Sequence, residues 1–225
     1  MGISVREFAN VVDFTAVSAS VCEADVHELI KYAKQYQFIA IGVPPCFVKL
    51  AKDLLGASDI IIGGSSGFPS GNDKTFVKVM MARDMLAAGC KEIDMVINIA
   101  YMKSGLYDKA RDDIKAVVDA IDGTLLKVIL EVPYMTDDEI KHGCEIIAEA
   151  GADFVKTGTG WAPNPTKIEQ VKLIKSVVGD SLKIKVAGGV RTLSQVEELL
   201  SIGVERFGIG KSSALKIIEE IEARG

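Results

Sequence analysis

A regular alternation of short β-branched runs with longer amphipathic stretches is the feature that most constrains the fold of this chain. Eight segments have the length and apolar character of strands buried in a parallel sheet, and they lie at 10–14, 38–43, 59–63, 92–97, 127–131, 153–157, 182–186 and 206–209. Helical periodicity fills the intervals between them. Helix-capping signals support this division: a capping box begins at Thr136, and Gly179 lies just past a predicted helix end.

Repeated βα units predict a parallel sheet, and eight of them within 225 residues predict a closed (β/α)8 barrel, the TIM-barrel fold. No linker, low-complexity tract or internal repeat marks a second domain, so we expect residues 1–225 to form a single domain. A doubly wound open sheet is the structural alternative. In such barrels the chemistry lies at the carboxyl ends of the strands, and phosphate often binds after strands seven and eight.

Charge and apolar content exclude several classes of partner. The chain has 26 Lys and Arg against 31 Asp and Glu, a formal net charge of −5, and 48% hydrophobic residues. The lysines are scattered among acids, so we expect no nucleic-acid partner. The apolar runs are far shorter than the ~18 residues that span a bilayer, and the N-terminal residues lack a signal-peptide core. We therefore predict a cytoplasmic protein that does not contact a membrane.

Cysteine and histidine content argues against a metal centre. The four cysteines form no C-x-x-C pair, which indicates reduced thiols rather than a zinc site or a disulfide framework. The two histidines, His27 and His142, each lie within a charged helical stretch. Metal-dependent enzymes of comparable chemistry usually need several imidazoles at the metal. We expect neither a metal ion nor another cofactor.

Two lysines stand where apolar runs meet glycine-rich turns. Lys156 precedes residues 157–160, and Lys185 precedes residues 186–189. Two cations brought together disfavour each other's charged state, so one of the lysines should have a depressed pKa. At its ordinary pKa near 10.4 a lysine is free amine in only ~1 molecule in 2,500 at pH 7, and only the free amine attacks carbonyl carbon. The pattern predicts a nucleophilic lysine, and the alternative is a pair of solvated loop lysines.

Three acids, Asp13, Asp94 and Glu131, also lie in or at the ends of predicted strands. Strands of a parallel sheet are usually buried on both faces, so a charge within them is either paired or functional. We expect the three acids and the two lysines to meet around one pocket. For Asp94 the alternative is a purely structural salt bridge.

Glycine clusters follow the last three predicted strands, at 158–160, at 188–189, and at 208–210 with Ser212 and Ser213 close behind. Backbone amides that open onto helix starts in these places suit a single phosphate group. Residues 63–67 match the G-x-S-x-G pattern of hydrolases, but no helix follows directly, so we reject a nucleophile elbow. A nucleotide-binding P-loop is rejected because its first glycine would fall on Glu205.

Six blocks of the chain, in order, resemble the signature blocks of the deoxyribose-phosphate aldolase family. The four stronger blocks are 92–98, 127–131, 153–160 and 185–192, and the two weaker ones are 12–15 and 67–71. The resemblance covers nearly the whole chain. It implies a (β/α)8 barrel, class I aldolase chemistry through a lysine Schiff base, and no cofactor.

The same resemblance implies roles for individual residues. Lys156 would be the Schiff-base lysine, Lys185 the cation that lowers its pKa, and Asp94 the acid that works through a water molecule. Asp13 and Thr15 would lie near the reacting oxygens. The other implied substrate-binding residues, most of them around the phosphate, are Thr157, Gly160, Gly188, Gly189, Gly210, Ser212 and Ser213.

The implied reaction is the reversible cleavage of 2-deoxy-D-ribose 5-phosphate, a small phosphorylated sugar, to acetaldehyde and D-glyceraldehyde 3-phosphate. The chain departs from the family pattern beside both lysines, at Gly158 and at Val186-Ala187. Two alternatives therefore stay open: a divergent Schiff-base aldolase with a different aldehyde acceptor, and a phosphate-binding barrel without imine chemistry. Dimers are common among barrels of this type, so a homodimer is one expected assembly.

Overall fold

Eight parallel strands close into a barrel in sequence order in the computed structural model, which describes residues 2–224. The strands are β1 Val12–Thr15, β2 Ala40–Gly42, β3 Ile61–Ser66, β4 Glu92–Val96, β5 Leu125–Ile129, β6 Phe154–Lys156, β7 Lys183–Ala187 and β8 Arg206–Gly210. β1 pairs with both β2 and β8. This closure confirms the predicted (β/α)8 barrel and shows that the open-sheet alternative is wrong.

Helices follow the strands and form the outer ring of the barrel. Those that the sequence pattern predicts are α2 Glu23–Tyr36, α3 Val48–Leu55, α4 Thr75–Ala88, α6 Tyr107–Ala120, α7 Asp137–Glu149, α8 Ile168–Val178, α9 Leu193–Ile202 and α10 Lys211–Glu222. The pattern missed two five-residue helices, α1 Val5–Ala9 and α5 Ile99–Lys103, because one and a half turns are too short to establish a helical period. Across residues 2–224, no helix is both long and apolar enough to cross a bilayer.

Local signals set several of the helix ends. Thr136 accepts a hydrogen bond from the backbone amide of Glu139 at 3.2 Å, and the Glu139 carboxylate accepts one from the Thr136 amide, which completes the predicted capping box of α7. Gly179 follows α8 with a φ of 52°, a left-handed conformation that glycine adopts without steric cost. The start of α7 and the end of α8 therefore lie where the capping signals in the sequence predict them.

Side-chain alternation along the strands separates an apolar layer from the barrel interior. In β4, Ile93 and Met95 are fully buried in the core between barrel and helices, while Glu92 and Asp94 lie on the opposite, inward face. Close packing of the outer layer requires Gly64 in β3, because a Cβ there would lie 2.6 Å from the Cβ of Met85 in α4. The helices thus pack directly on the strand backbone.

A buried ion pair joins α4 to α6 outside the barrel. Lys78 and Asp113 both have side chains that are 0% exposed, and the Nζ–Oδ2 distance is 2.6 Å. The ammonium also donates to the carbonyl of Val96 at 3.0 Å, and Thr75 donates to the other carboxylate oxygen at 2.7 Å. Burial lowers the pKa of Lys78, although Asp113 opposes this effect. The pair therefore ties two helices to the end of β4.

Removing one partner of this pair should destabilise the protein strongly. We expect Lys78→Met to reduce the free energy of unfolding by about 3–5 kcal/mol, because it leaves the Asp113 carboxylate buried without a counter-charge. The double variant Lys78→Met/Asp113→Leu should recover most of the loss, since no buried charge then remains. Urea unfolding followed by circular dichroism measures both. Equal losses in the single and double variants would contradict this account of the ion pair.

Candidate active site

The barrel interior holds a cluster of seven ionisable side chains, referred to here as the interior charge cluster. Six of the eight strands contribute, and the members are Asp13, Glu92, Asp94, Lys127, Lys156, Lys185 and Arg206. Four of them, Asp13, Asp94, Lys156 and Lys185, are residues that the sequence analysis singled out. Barrel closure places these four beside one another, where they line the pocket described below.

Asp94 lies between the two predicted lysines. Its Oδ2 accepts hydrogen bonds from Lys156 Nζ at 2.6 Å and from Lys185 Nζ at 2.7 Å. Burial by itself would raise the pKa of this carboxyl, but the charges of Lys156, Lys185 and Lys127 hold the pKa of Asp94 well below its usual range. Asp94 is therefore a carboxylate at neutral pH and accepts hydrogen bonds from both lysines.

Lys156 has the environment of a nucleophilic amine. Burial lowers its pKa to about 8, with repulsion from Lys185 acting in the same direction and attraction to Asp94 opposing both. At pH 7 roughly one molecule in ten then carries the free amine, about two-hundredfold more than for a lysine of ordinary pKa. The side chain is 10% exposed and lines the pocket described below. A carbonyl compound in that pocket can reach the amine.

Lys185 differs from its neighbour in having two strong counter-charges. Burial favours the neutral amine, but Asp13, Asp94 and Glu92 outweigh it and raise the pKa of Lys185. Burial likewise opposes ionisation of Asp13, yet Lys185, Lys127 and Arg206 lower the pKa of that carboxyl to about 2. Lys185 thus remains a cation beside Lys156, which is the electrostatic arrangement that the two-lysine pattern predicts.

Three members of the cluster were missed by the sequence analysis: Glu92, Lys127 and Arg206. Lys127 Nζ lies 2.5 Å from Glu92 Oε1. Arg206 donates from Nε to Asp13 Oδ1 at 2.9 Å and contacts Glu92 Oε1 at 3.2 Å. A signal was available, because Glu92 stands two residues before Asp94 and must share its face of the strand. The three residues were missed because each begins a predicted strand, where a charged side chain normally faces solvent.

Glu131 does not join the cluster, which corrects the expectation that all three acids surround the pocket. The residue follows β5 in a left-handed conformation with a φ of 55°. Its carboxylate accepts hydrogen bonds from the Thr159 amide at 3.1 and 3.2 Å, and burial raises its pKa. The carboxylate therefore fixes the turn after Lys156 instead of pairing with the lysines.

Thr157 also differs from its implied role as a substrate contact. Its side chain is fully buried and does not line the pocket. The hydroxyl donates to the Ala187 carbonyl at 2.9 Å and accepts from the Ala187 amide at 3.0 Å. Thr157 consequently joins the ends of β6 and β7 behind the pocket wall, because a side chain next to Lys156 in a strand points to the opposite face.

A pocket of about 890 Å³ opens at the carboxyl ends of the strands. Apart from Thr157, every predicted site residue lines it, and they are Asp13, Thr15, Asp94, Lys156, Gly160, Lys185, Gly188, Gly189, Gly210, Ser212 and Ser213. Gly189 has a φ of 120°, and a Cβ there would lie 2.6 Å from Pro165 Cβ. The wall therefore requires glycine at that position, where the backbone itself faces the pocket.

Two cationic side chains line the pocket near the glycine turns. Lys211, the first residue of α10, pairs with the Glu28 carboxylate of α2. Arg191 follows the glycine pair after β7. Together with the free amides at the start of α10, they give this end of the pocket an attraction for anions.

An aromatic wall stands at another side of the pocket. Trp161, in the loop after β6, donates from its indole nitrogen to the Val17 carbonyl at 3.1 Å. Its ring meets the Phe68 ring edge to face, with 5.9 Å between the ring centroids. Val17, Phe68 and Trp161 all line the pocket. Sequence patterns gave no indication of this wall, because the three residues belong to loops far apart in the chain.

Within residues 2–224, no group of three His, Cys, Asp or Glu side chains is arranged to hold a metal ion. The pocket instead presents one amine of lowered pKa, a carboxylate hydrogen-bonded to it, and an anion-attracting end. A (β/α)8 barrel with these groups in a pocket at the carboxyl ends of its strands defines an enzyme suited to lysine-dependent carbonyl chemistry.

Comparison with known proteins identifies the family. The family model for DeoC/LacD family aldolases matches residues 8–219. A deoxyribose-phosphate aldolase of Sinorhizobium medicae is 42% identical over 222 residues, covering 98% of this chain and 90% of the relative. One from Klebsiella pneumoniae is 40% identical over 225 residues, covering 99% and 90%. The chain therefore belongs to the DeoC/LacD family of aldolases, which confirms the predicted resemblance and the assignment as a carbon–carbon lyase.

A solved structure supports the same conclusion. The deoxyribose phosphate aldolase from Aeropyrum pernix, described as a tetramer, is 26% identical and superposes with a TM-score of 0.88. The alignment covers 99% of this chain and 94% of that protein. The barrel fold is thus shared over nearly the whole chain.

The lowered pKa of Lys156 predicts a pH dependence for its reactivity. A lower pKa leaves more free amine at a given pH, so acylation of Lys156 should rise tenfold per pH unit below about 8 and level off above it. Trace labelling with acetic anhydride at a series of pH values, followed by peptide mass mapping, measures this dependence. A rate that continues to rise tenfold per unit up to pH ~10 would show that the environment does not lower the pKa.

Proposed function

We propose that the protein is a class I aldolase that reversibly cleaves 2-deoxy-D-ribose 5-phosphate to acetaldehyde and D-glyceraldehyde 3-phosphate through an imine on Lys156. The observation that carries the proposal is the state of that lysine, whose amine has a pKa of about 8, contacts Asp94 at 2.6 Å and opens onto the pocket. The substrate comes from the activity for which the relatives are named.

The proposed reaction begins when the free amine of Lys156 attacks the aldehyde carbon of the open-chain sugar. Loss of water from the carbinolamine leaves a protonated imine. This imine accepts the electron pair of the bond between the second and third sugar carbons as that bond breaks, and the hydroxyl on the third carbon gives up its proton. Glyceraldehyde 3-phosphate departs, the remaining enamine is protonated on carbon, and hydrolysis of the imine releases acetaldehyde.

Asp94 and Lys185 have separate roles in this scheme. Asp94, a carboxylate at 2.6 Å from the reacting nitrogen, accepts protons, either directly or through a water molecule. Lys185 remains a cation and disfavours the protonated form of Lys156. Asp13 holds Lys185 in place, so its own contact with substrate is secondary to that ion pair.

The phosphate of the substrate would lie at the anion-attracting end of the pocket. The supporting features are the glycine turns after β6 and β7, the start of α10 with Ser212 and Ser213, and the cations Arg191 and Lys211. A helix N-terminus presents amides without partners, which suit a phosphate group. This placement puts the sugar chain between the phosphate and the Lys156 amine.

A divergent aldolase with another aldehyde acceptor is the second candidate. Two observations favour it: the aromatic wall of Phe68 and Trp161, and Ala187, which departs from the family pattern and lines the pocket. Both affect the shape and polarity of the pocket, and neither belongs to the interior charge cluster. Comparing acceptor aldehydes in the synthetic direction would separate the two candidates.

Borohydride reduction in the presence of acetaldehyde should add one reduced two-carbon unit to Lys156, because only an imine is trapped in this way. Peptide mass mapping locates the adduct. Lys156→Leu should abolish both the adduct and the cleavage of deoxyribose 5-phosphate.

The matched control for this experiment is Lys183→Leu, which removes an exposed lysine from the neighbouring strand β7. It should retain the adduct at Lys156. An adduct on a different lysine, or activity in Lys156→Leu, would refute the nucleophile assignment. If the protein binds deoxyribose 5-phosphate through its phosphate group but forms no lysine adduct, the result would favour the alternative of a barrel without imine chemistry.

Placing a negative charge at the start of α10 should lower kcat/KM for the phosphorylated substrate selectively. Gly210 caps this helix with ordinary φ and ψ angles of −71° and 155°, and a Cβ there has no neighbour closer than 3.9 Å. Gly210→Asp should therefore fold normally and lower kcat/KM for deoxyribose 5-phosphate at least ~10-fold through repulsion, equivalent to about 1.4 kcal/mol. Its kcat/KM for deoxyribose, which lacks the phosphate, should change little.

Gly210→Asn is the isosteric control without the charge, and asparagine is an equally good helix cap. It should lose much less activity with the phosphorylated sugar than Gly210→Asp does. In the unmodified protein, deoxyribose should be at least ~10-fold poorer in kcat/KM than its 5-phosphate. If the two sugars react equally well, this end of the pocket is not a phosphate site.

A further inference from the structure

The interior charge cluster is balanced only when Lys156 is neutral. Its three carboxylates, Asp13, Glu92 and Asp94, face three other cations, Lys127, Lys185 and Arg206. Protonation of Lys156 adds a fourth cation to a site that is largely shielded from water. Because an unbalanced buried charge is costly, the count favours the free amine at this one position.

Lys127 is the cation of the cluster that lies outside the pocket but beside the carboxylates that pair with the two lysines of the site. Its side chain is 0% exposed and lies below the pocket, which it does not line. Its ammonium is 3.4 Å from Asp94 Oδ1 and 3.7 Å from Asp13 Oδ2, the two carboxylates that hold the catalytic lysines. A charge there reduces the attraction that Asp94 exerts on a protonated Lys156.

The contacts of Lys127 indicate a role based on charge. Its ammonium makes no well-directed hydrogen bond, and the facing oxygen of Asp94 has no hydrogen-bond partner either. Its strongest contact is the ion pair with Glu92, at 2.5 Å, and Glu92 is held in turn by Arg206. A buried lysine without directed hydrogen bonds is a poor structural element, since hydrogen-bonding is what usually offsets the burial of an ammonium.

We propose that Lys127 is a positioning residue for the reaction, and that its charge, set against Glu92, increases the free-amine fraction of Lys156 through Asp94. The proposal rests on the proposed function in so far as Lys156 is the nucleophile. Lys127 itself touches neither substrate nor the reacting nitrogen. The charged groups that act on Lys156 from the surrounding strands are Asp94 of β4, Lys185 of β7 and Asp13 of β1, with Glu131 beyond the end of β5. Lys127 of β5, Arg206 of β8 and Glu92 of β4 complete the cluster through their contacts with Asp13, Asp94 and one another.

The test is the pH midpoint of imine formation at Lys156, measured by borohydride trapping of acetaldehyde at a series of pH values. Lys127→Met removes one buried cation, so the remaining cluster is balanced only when Lys156 is protonated. The midpoint should move upward by about one pH unit or more. At pH 7 the rate of trapping should fall about tenfold or more, with recovery at higher pH.

The double variant Lys127→Met/Glu92→Gln removes a cation and an anion together and restores the balance. Its midpoint should return to within about half a pH unit of the unmodified protein, although two buried contacts have been lost. Lys183→Met removes one cation from the first residue of β7, where the side chain is 58% exposed, and should leave the midpoint unchanged. Together the two variants separate buried charge from total charge and from packing.

The outcomes distinguish this proposal from the proposed function. If no adduct forms at Lys156 even in the unmodified protein, the nucleophile assignment fails first. If the adduct forms but Lys127→Met keeps the original midpoint, or if the double variant stays shifted as far as the single one, charge balance through Lys127 is wrong. Should Lys127→Met not fold, a double variant that folds with a midpoint shifted by a full unit or more would overturn the proposal by itself.

Discussion

The mutual neutralisation of seven ionisable side chains inside one barrel is the interaction on which the rest of this structure depends. Each of these groups alone would be very unfavourable in a shielded interior, and each is tolerated because opposite charges lie within about 4 Å. Lys185, for example, contacts both Asp13 and Asp94. Only a closed barrel brings together side chains from β1, β4 and the last four strands, so closure and charge pairing are parts of a single arrangement.

The stability needed to maintain such an interior comes from a different layer. Nearly all the fully buried apolar side chains belong to one cluster between the strands and the helices, and Gly64 lets α4 pack directly against β3. This separation lets the barrel interior be polar without loss of the fold. It also explains why a difference of one charge in the cluster can shift the protonation of a single lysine. Close packing keeps the ion pairs from rearranging, so an excess charge is not easily relieved.

Much of the fold and part of the site could be predicted from the sequence, for physical reasons that also explain the failures. Buried parallel strands and capped helices leave strong local patterns, and Lys156 and Asp94 were conspicuous as charges in apolar runs. Lys127 and Arg206 begin such runs, where a charge normally meets solvent, so only the three-dimensional closure shows them to be interior. Thr157 was assigned to the substrate site only from the family resemblance. Strand alternation alone predicts that its side chain points away from that of Lys156, as the structure shows.

The groups to which the proposed function assigns the chemistry and those that shape the pocket wall lie on different kinds of element. Lys156, Asp94 and Lys185 belong to strands whose positions are fixed by the barrel, whereas Phe68 and Trp161 lie on loops and are joined by ring contact. Loops can change in sequence without disturbing the barrel, while a change in any strand charge alters the balance around the amine. Departures from the family pattern in the pocket wall should therefore alter which aldehyde is accepted, and the imine chemistry should persist as long as the charge count around Lys156 is preserved.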